Sequence, residues 1–200
     1  SMKDKLLYTT KELFDSYLRG KYYTIPEYQR GYKWETKDID CLLKDINNFS
    51  KNDDLDLFYC LQNITLVEKP DSFSVVDGQQ RLTTLAIILS YLGEYSLINE
   101  KIQYNIRKET EEFLKEYIYK SSNIKTIENW DQLLSISSLE NKDYDYQDIY
   151  YLFNAYKTVQ SWFDSYPHKE LEMRDKILNH IKIIVNLPKN IDEQELFENL

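Results

Sequence analysis

The sequence predicts an α+β protein, with a small mixed β-sheet in its first half and a mostly helical second half. Three observations carry that prediction. Residues 73–92 (FSVVDGQQRLTTLAIILSYL) open with the alternation of Phe73 and Val75, which suits a strand. They break at Asp77-Gly78 and resume with Leu82, Leu85, Ile88, Leu89 and Leu92 at helical spacing. Only 4 Gly and 4 Pro interrupt 200 residues that include 18 Tyr, a composition that favours long, helix-rich structure over loops. Finally, the runs at 58–68 and 181–187 read as strands, whereas after about residue 95 most apolar residues recur at helical spacing.

In chain order, Thr9-Thr10-Lys11-Glu12 has the form of a capping box and precedes Leu13, Phe14, Tyr17 and Leu18 on one face of a short helix. Residues 21–25 read as a strand stopped by Pro26, which has no donor for a ladder. Tyr28, Gln29 and Arg30 follow in a loop, with Trp34 packed beneath it. A helix then starts near Thr36, with Ile39, Leu42, Leu43, Ile46 and Phe49 as its apolar stripe. Residues 52–56 form a polar turn, and 58–68 a strand long enough to be central. Pro70-Asp71-Ser72 makes a tight turn, so this strand and the one ending at Val76 form an antiparallel hairpin.

Beyond residue 95, a helical stretch is expected over 102–119, with Ile106, Phe113, Leu114 and Tyr117 on its apolar side. Residues 123–139 are polar, with apolar pieces around Trp130, Leu133 and Leu134. The clearest amphipathic helix carries Ile149, Leu152, Phe153, Tyr156, Val159, Trp162 and Phe163. Residues 181–187 are β-branched and stop at Pro188; a strand there would return to the sheet of the first half. A last helix begins near Asp192. Cys41 and Cys60 read as reduced core residues, on a buried helix face and a strand. With no signal peptide, no membrane-length apolar run and no metal-ligand spacing, the chain is expected to be cytoplasmic. Ser1-Met2 looks like the remnant of a cleaved tag.

The turn between strand and helix is the candidate site. Asp77, Gln79, Gln80 and Arg81 stand at a helix start, where unpaired backbone N–H groups, the positive end of the dipole and a guanidinium suit a phosphate. Gly78 permits a positive φ or a close ligand approach. An ordinary reading fits the same residues: Asp77 caps the helix, Gly78 turns the chain and Arg81 is solvated.

Asp77-Gly78-Gln79-Gln80-Arg81-Leu82-Thr83-Thr84-Leu85 closely resembles a signature of the N-terminal domain of GmrSD-type modification-dependent restriction enzymes, a ParB/sulfiredoxin-like domain. A second signature of that family is an Ile-Pro-x-Tyr-Gln-Arg run followed by an aromatic and a Trp. It stands here as Ile25-Pro26-Glu27-Tyr28-Gln29-Arg30-Gly31-Tyr32-Lys33-Trp34. Arg107 and Thr110 resemble a weaker motif of the same family. The resemblance implies a ParB/sulfiredoxin-like core over residues 1–95, a helical region over 96–200 and a role in restriction and phage defence. It implies binding of a nucleoside triphosphate with Mg²⁺, with or without hydrolysis. Oligomerisation is left open.

The resemblance carries Tyr28, Gln29, Arg30, Gly78, Gln79, Arg81, Thr83 and Thr84 over as nucleotide-binding residues. Asp77, Gln80 and Arg81 are carried over as catalytic, and Asp77 also as the Mg²⁺ ligand. Arg30 and Arg81 would clamp phosphates through planar, permanently charged guanidinium groups. Asp77 would hold Mg²⁺ or orient a water, and Gln79 or Gln80 would position that water or read a base edge. Family relatives continue from a stretch like residues 196–200 into an Asn-x-x-Gly-x-x-Leu segment and carry an HNH-like nuclease domain near the C-terminus. The chain is therefore expected to be a truncated piece of a larger protein without its nuclease, reaching DNA through the full-length protein.

Several chemistries are excluded. There is no Gly-x-x-x-x-Gly-Lys-Ser/Thr loop, no Gly-x-Ser-x-Gly elbow and no zinc-ligand spacing. His168 and His180 have no HNH-like surroundings. A net charge of −9 argues against a strong grip on a DNA duplex by the chain alone. Two readings of different classes remain: a nucleotide-responsive component that licenses a nuclease, and a non-catalytic module that binds a DNA phosphate or a modified base directly.

Overall fold

The computed structural model describes residues 5–15, 20–50, 60–188 and 193–200. The expected turn at 52–56, and Tyr17 and Leu18 of the first helix, lie outside the described residues. The architecture is α+β. A six-stranded mixed sheet has the order β1-β6-β3-β4-β2-β5, and helices from both halves of the chain pack around it.

β1 (Lys5–Thr9) leads directly into α1 (Thr10–Phe14). The join is the capping box read from the sequence: the Glu12 backbone N–H donates to the Thr9 hydroxyl at 3.1 Å, and the Thr9 N–H donates to the Glu12 carboxylate at 3.0 Å. β2 (Tyr22–Ile25) ends at Pro26, and α2 (Thr36–Asn48) buries Ile39, Leu42, Leu43 and Ile46. Cys41 corrects its expectation. It is exposed, because it falls between Ile39 and Leu42 on the opposite face of the helix from their stripe.

β3 (Cys60–Glu68) and β4 (Ser72–Asp77) form the expected antiparallel hairpin, with a register shift between Thr65 and Leu66. β2 lies parallel to β4 on its other side. Gly78 then turns the chain into α3 (Gln79–Tyr91), in which every residue from Leu82 to Tyr91 is buried. A helix buried all round is a core element rather than a surface one. Each fully buried Leu or Ile side chain contributes about 2 kcal/mol on area grounds, so α3 is a principal source of stability. One side of it meets α7 (Gln147–Ser165), where the rings of Tyr91 and Phe163 stack with centroids 5.0 Å apart.

The expected helix over 102–119 is corrected at its start. Residues 102–104 form β5 (Ile102–Tyr104), a short parallel edge strand beside β2, with Ile102 and Tyr104 buried. The backbone wins these residues for the sheet: Tyr23 donates to Lys101 at 2.7 Å and Asn105 donates to Ile25 at 3.0 Å. Helix starts only at α5 (Lys108–Phe113), which continues as a π-helical turn, Leu114–Tyr119.

α4 (Tyr95–Ile98) and α6 (Trp130–Leu139) flank this region, and α8 (Glu170–Asp175) leads through a π-helical turn into β6 (Lys182–Asn186). β6 runs antiparallel to β1 and parallel to β3, so strands from the two ends of the chain meet in one sheet. α9 (Glu193–Glu198) follows and packs near β4.

Candidate functional site

Pro26 ends β2 where β4 still has carbonyls to satisfy. The register pairs Thr24 with Ser74, and the next two carbonyls, of Val75 and Val76, face a loop. The Gln29 side-chain amide takes the place of the missing strand and donates to the Val75 carbonyl, with a longer contact to Val76 at 3.5 Å. Gln29 is 4% exposed, so it anchors the loop and does not face solvent. Its neighbours turn outward: Arg30 is exposed, and the Tyr28 ring lies 5.2 Å from that of Phe197 in α9.

Gln80 closes the same loop from the helix side. The Lys33 N–H donates to its Oε1 at 2.8 Å, and its Nε2 donates to the Gly31 carbonyl at 3.4 Å. One turn later, the Thr84 hydroxyl donates to the Gln80 carbonyl at 2.7 Å. That uses its only hydrogen, so the Tyr32 hydroxyl, 2.7 Å from it, is the donor in the second bond. Thr83 bonds the Tyr104 hydroxyl, also at the core. Burial pushes both phenols well above their ordinary pKa, so they remain neutral. Tyr32→Phe is expected to lower stability by about 1 kcal/mol in urea denaturation, because the Thr84 hydroxyl keeps its carbonyl partner. A loss several times larger would show that the loop depends on this bond.

At the helix start, Gly78 adopts φ 88° and no side chain caps α3. Asp77 is exposed at the end of β4 and is not the cap. Arg81 is half-buried, its guanidinium 5.6 Å from the Trp34 ring. The described residues hold no group of three or more His, Cys, Asp or Glu suited to a metal. Asp77 therefore fits a Mg²⁺ only as one ligand among phosphate oxygens and waters, which is how Mg²⁺ is commonly held on nucleotides.

A cavity of about 350 Å³ lies beside these motifs, lined in part by the loop. Arg30, Gly31, Tyr32 and Lys33 form one wall; Ile106, Arg107, Gln147 and Asp148 form the other. Three basic residues and one acidic residue thus line the cavity, in a chain whose net charge is −9. Arg30, Lys33 and Arg81 make no ion pair among the described residues. Arg107 pairs with Asp148 and lies 4.4 Å from the Tyr146 ring centroid. Thr110 donates to the second Asp148 oxygen at 2.6 Å.

Of the residues carried over as nucleotide-binding or catalytic, the cavity wall includes Arg30, and Arg107 of the weaker motif joins it from the other side. Gln80 joins the motif at residues 77–85 to that wall through the loop backbone. Gln79, Arg81 and Asp77 lie on the adjoining turn, while Gln29, Thr83 and Thr84 are spent inside the fold. Lys33, Gln147 and Asp148 were missed. Lys33 lies within the run at residues 25–34, a cation two residues from Gly31; nothing local marks Gln147 or Asp148, which reach the cavity through the start of α7.

A family model described as "GmrSD restriction endonuclease, N-terminal domain" matches residues 10–200. No curated protein matches the chain. Among the described residues, no helix is long and apolar enough to cross a membrane.

Proposed function

Since this chain belongs to the GmrSD restriction endonuclease N-terminal domain family, we propose that it is the nucleotide-binding, regulatory part of a DNA restriction and phage-defence protein. The observation that carries this reading is the cavity whose lining includes Arg30, Lys33 and Arg107 in an acidic chain. A cation cluster set against a negative background favours a compact anion over a long duplex, whose phosphates the rest of the surface repels.

In this reading the guanidinium groups of Arg30 and Arg107 and the ammonium of Lys33 neutralise the phosphate oxygens. Arg81 and the uncapped N–H groups of α3 extend the anion site along the adjoining turn. Asp77 is the carboxylate available to a Mg²⁺ bridging phosphate oxygens, which would supply charge neutralisation for phosphoanhydride hydrolysis. Gln79 is the amide left free to orient a water, because Gln80 is engaged by the loop. DNA would be reached through the full-length protein.

Calorimetric titration of ATP and GTP with Mg²⁺ tests this. Saturable binding to the wild type is expected, weakened about 30-fold in Arg30→Ala and in Arg81→Ala, as loss of a charged hydrogen bond worth about 2 kcal/mol implies. Phosphate release then measures turnover. Binding of a modified DNA duplex with no binding of either nucleotide would overturn the reading in favour of a direct DNA reader.

A further inference from the structure

Asp148 stands on the wrong side of the charge balance. If the cavity holds phosphate, a carboxylate in its wall repels the ligand and should be absent. Yet Asp148 is 5% exposed and fully engaged, one oxygen taking the Arg107 guanidinium and the other the Thr110 hydroxyl. It also sits against Gly31, the one point of the opposite wall without a side chain. Arg107 needs such a partner. Its backbone is extended, just before α5, so no helical rotamer preference fixes its long side chain. Asp148 on one side and the Tyr146 ring on the other hold the guanidinium at the cavity.

Resting on the phosphate-site reading above, we propose that Asp148 is a positioning residue, which fixes Arg107 so that its planar fork meets phosphate oxygens in one orientation. The net effect on the ligand is favourable because the order imposed on Arg107 outweighs the repulsion. Arg30 and Lys33, both without an ion pair among the described residues, keep the cavity positive. The second half of the chain thereby supplies a phosphate contact to a site whose signatures lie in the first.

The two effects have opposite signs, so one substitution separates them. Asp148→Asn keeps the size of the side chain and an oxygen for Thr110, and removes the charge. ATP and inorganic tripolyphosphate are titrated into the wild type, Asp148→Asn, Arg107→Met and the double variant, with thermal unfolding of each. Asp148→Asn is expected to weaken both probes about tenfold, equivalent to about 1.4 kcal/mol. In the Arg107→Met background there is no guanidinium left to hold, and the same exchange should leave binding unchanged or tighten it.

Tighter binding by Asp148→Asn alone overturns the proposal, as does equal weakening in both backgrounds. Failure of the wild type to bind either probe overturns both this proposal and the reading it rests on. Should Arg107→Met not fold, the NMR signal of the Arg107 Nη1–H that donates to Asp148 decides without ligand. It is expected to be protected from exchange in the wild type and lost in Asp148→Asn; its persistence in the variant overturns the proposal.

Discussion

Gly31→Ala is expected to cost about 2 kcal/mol of stability and to weaken anion binding by more than tenfold. The new Cβ would stand 2.7 Å from the Asp148 Cβ and 3.3 Å from its Cγ, inside ordinary contact. Asp148 cannot swing away, because its Cβ is bonded to the backbone of α7. The loop cannot easily retreat either: Gln80 holds Gly31 and Lys33, and Tyr32 is bonded to Thr84. Overpacking of this kind costs about 1–3 kcal/mol. An opposing effect exists, since alanine restricts the unfolded chain and gains about 0.4–1 kcal/mol where the native backbone suits it. The contact is short enough for the steric cost to win. The displaced group is Asp148, so Arg107 should lose its orientation with it. Urea denaturation and ATP titration check the two halves of this prediction. Unchanged stability with unchanged affinity would mean that the two walls are free to separate, and that the cavity is not a rigid site.

That contact also shows why the sequence discloses only part of the candidate site. The strand–glycine–helix turn is legible because it is local. Alternation ends, a breaker follows and helical spacing resumes within twenty residues of one another, and the structure places Gly78 and α3 where that change of period puts them. The opposite wall of the cavity depends on a meeting between residue 31 and residue 148. Asp148 in isolation is an ordinary acid in the first turn of a helix, where the dipole favours one. Only the missing side chain at Gly31 and the pairing with Arg107 distinguish it, and both are tertiary facts.

Hydrogen bonding, too, divides residues that the motif presents as equals. Gln29 and Gln80 look like ligand-reading amides, but one completes a sheet edge and the other ties a loop to a helix. Exposed Arg30 and half-buried Arg81 keep their charges available. A similar limit applies to the fold. The long amphipathic face of α7 reads directly from Ile149, Leu152, Tyr156, Val159 and Phe163, all buried. β5 does not, because three residues are too few to display a period. Its neighbours supplied a helical pattern, and pairing with β2 overrode it.

Gly78→Ala is expected to have the largest effect on stability, a loss of about 3 kcal/mol, and its cause lies in the fold rather than in a ligand. Two costs add. At φ 88° an L-residue is strained by about 1–2 kcal/mol. The added Cβ would also lie 3.1 Å from the Asn63 carbonyl oxygen, 3.1 Å from Ile64 Cγ1 and 3.2 Å from Ile64 Cα, so β3 must shift beside it. Gly93 separates the two. It has φ 83° and nothing within 4 Å of its Cβ position, so Gly93→Ala carries the conformational cost alone. We expect about 1 kcal/mol from Gly93→Ala, and a drop in melting temperature of roughly 6–12 °C for Gly78→Ala in a chain of this size. If the two variants melt together, β3 yields freely and the close approach contributes nothing. If Gly78→Ala keeps its stability but loses nucleotide binding, the glycine is there to admit the ligand, and the turn belongs to the site before it belongs to the sheet.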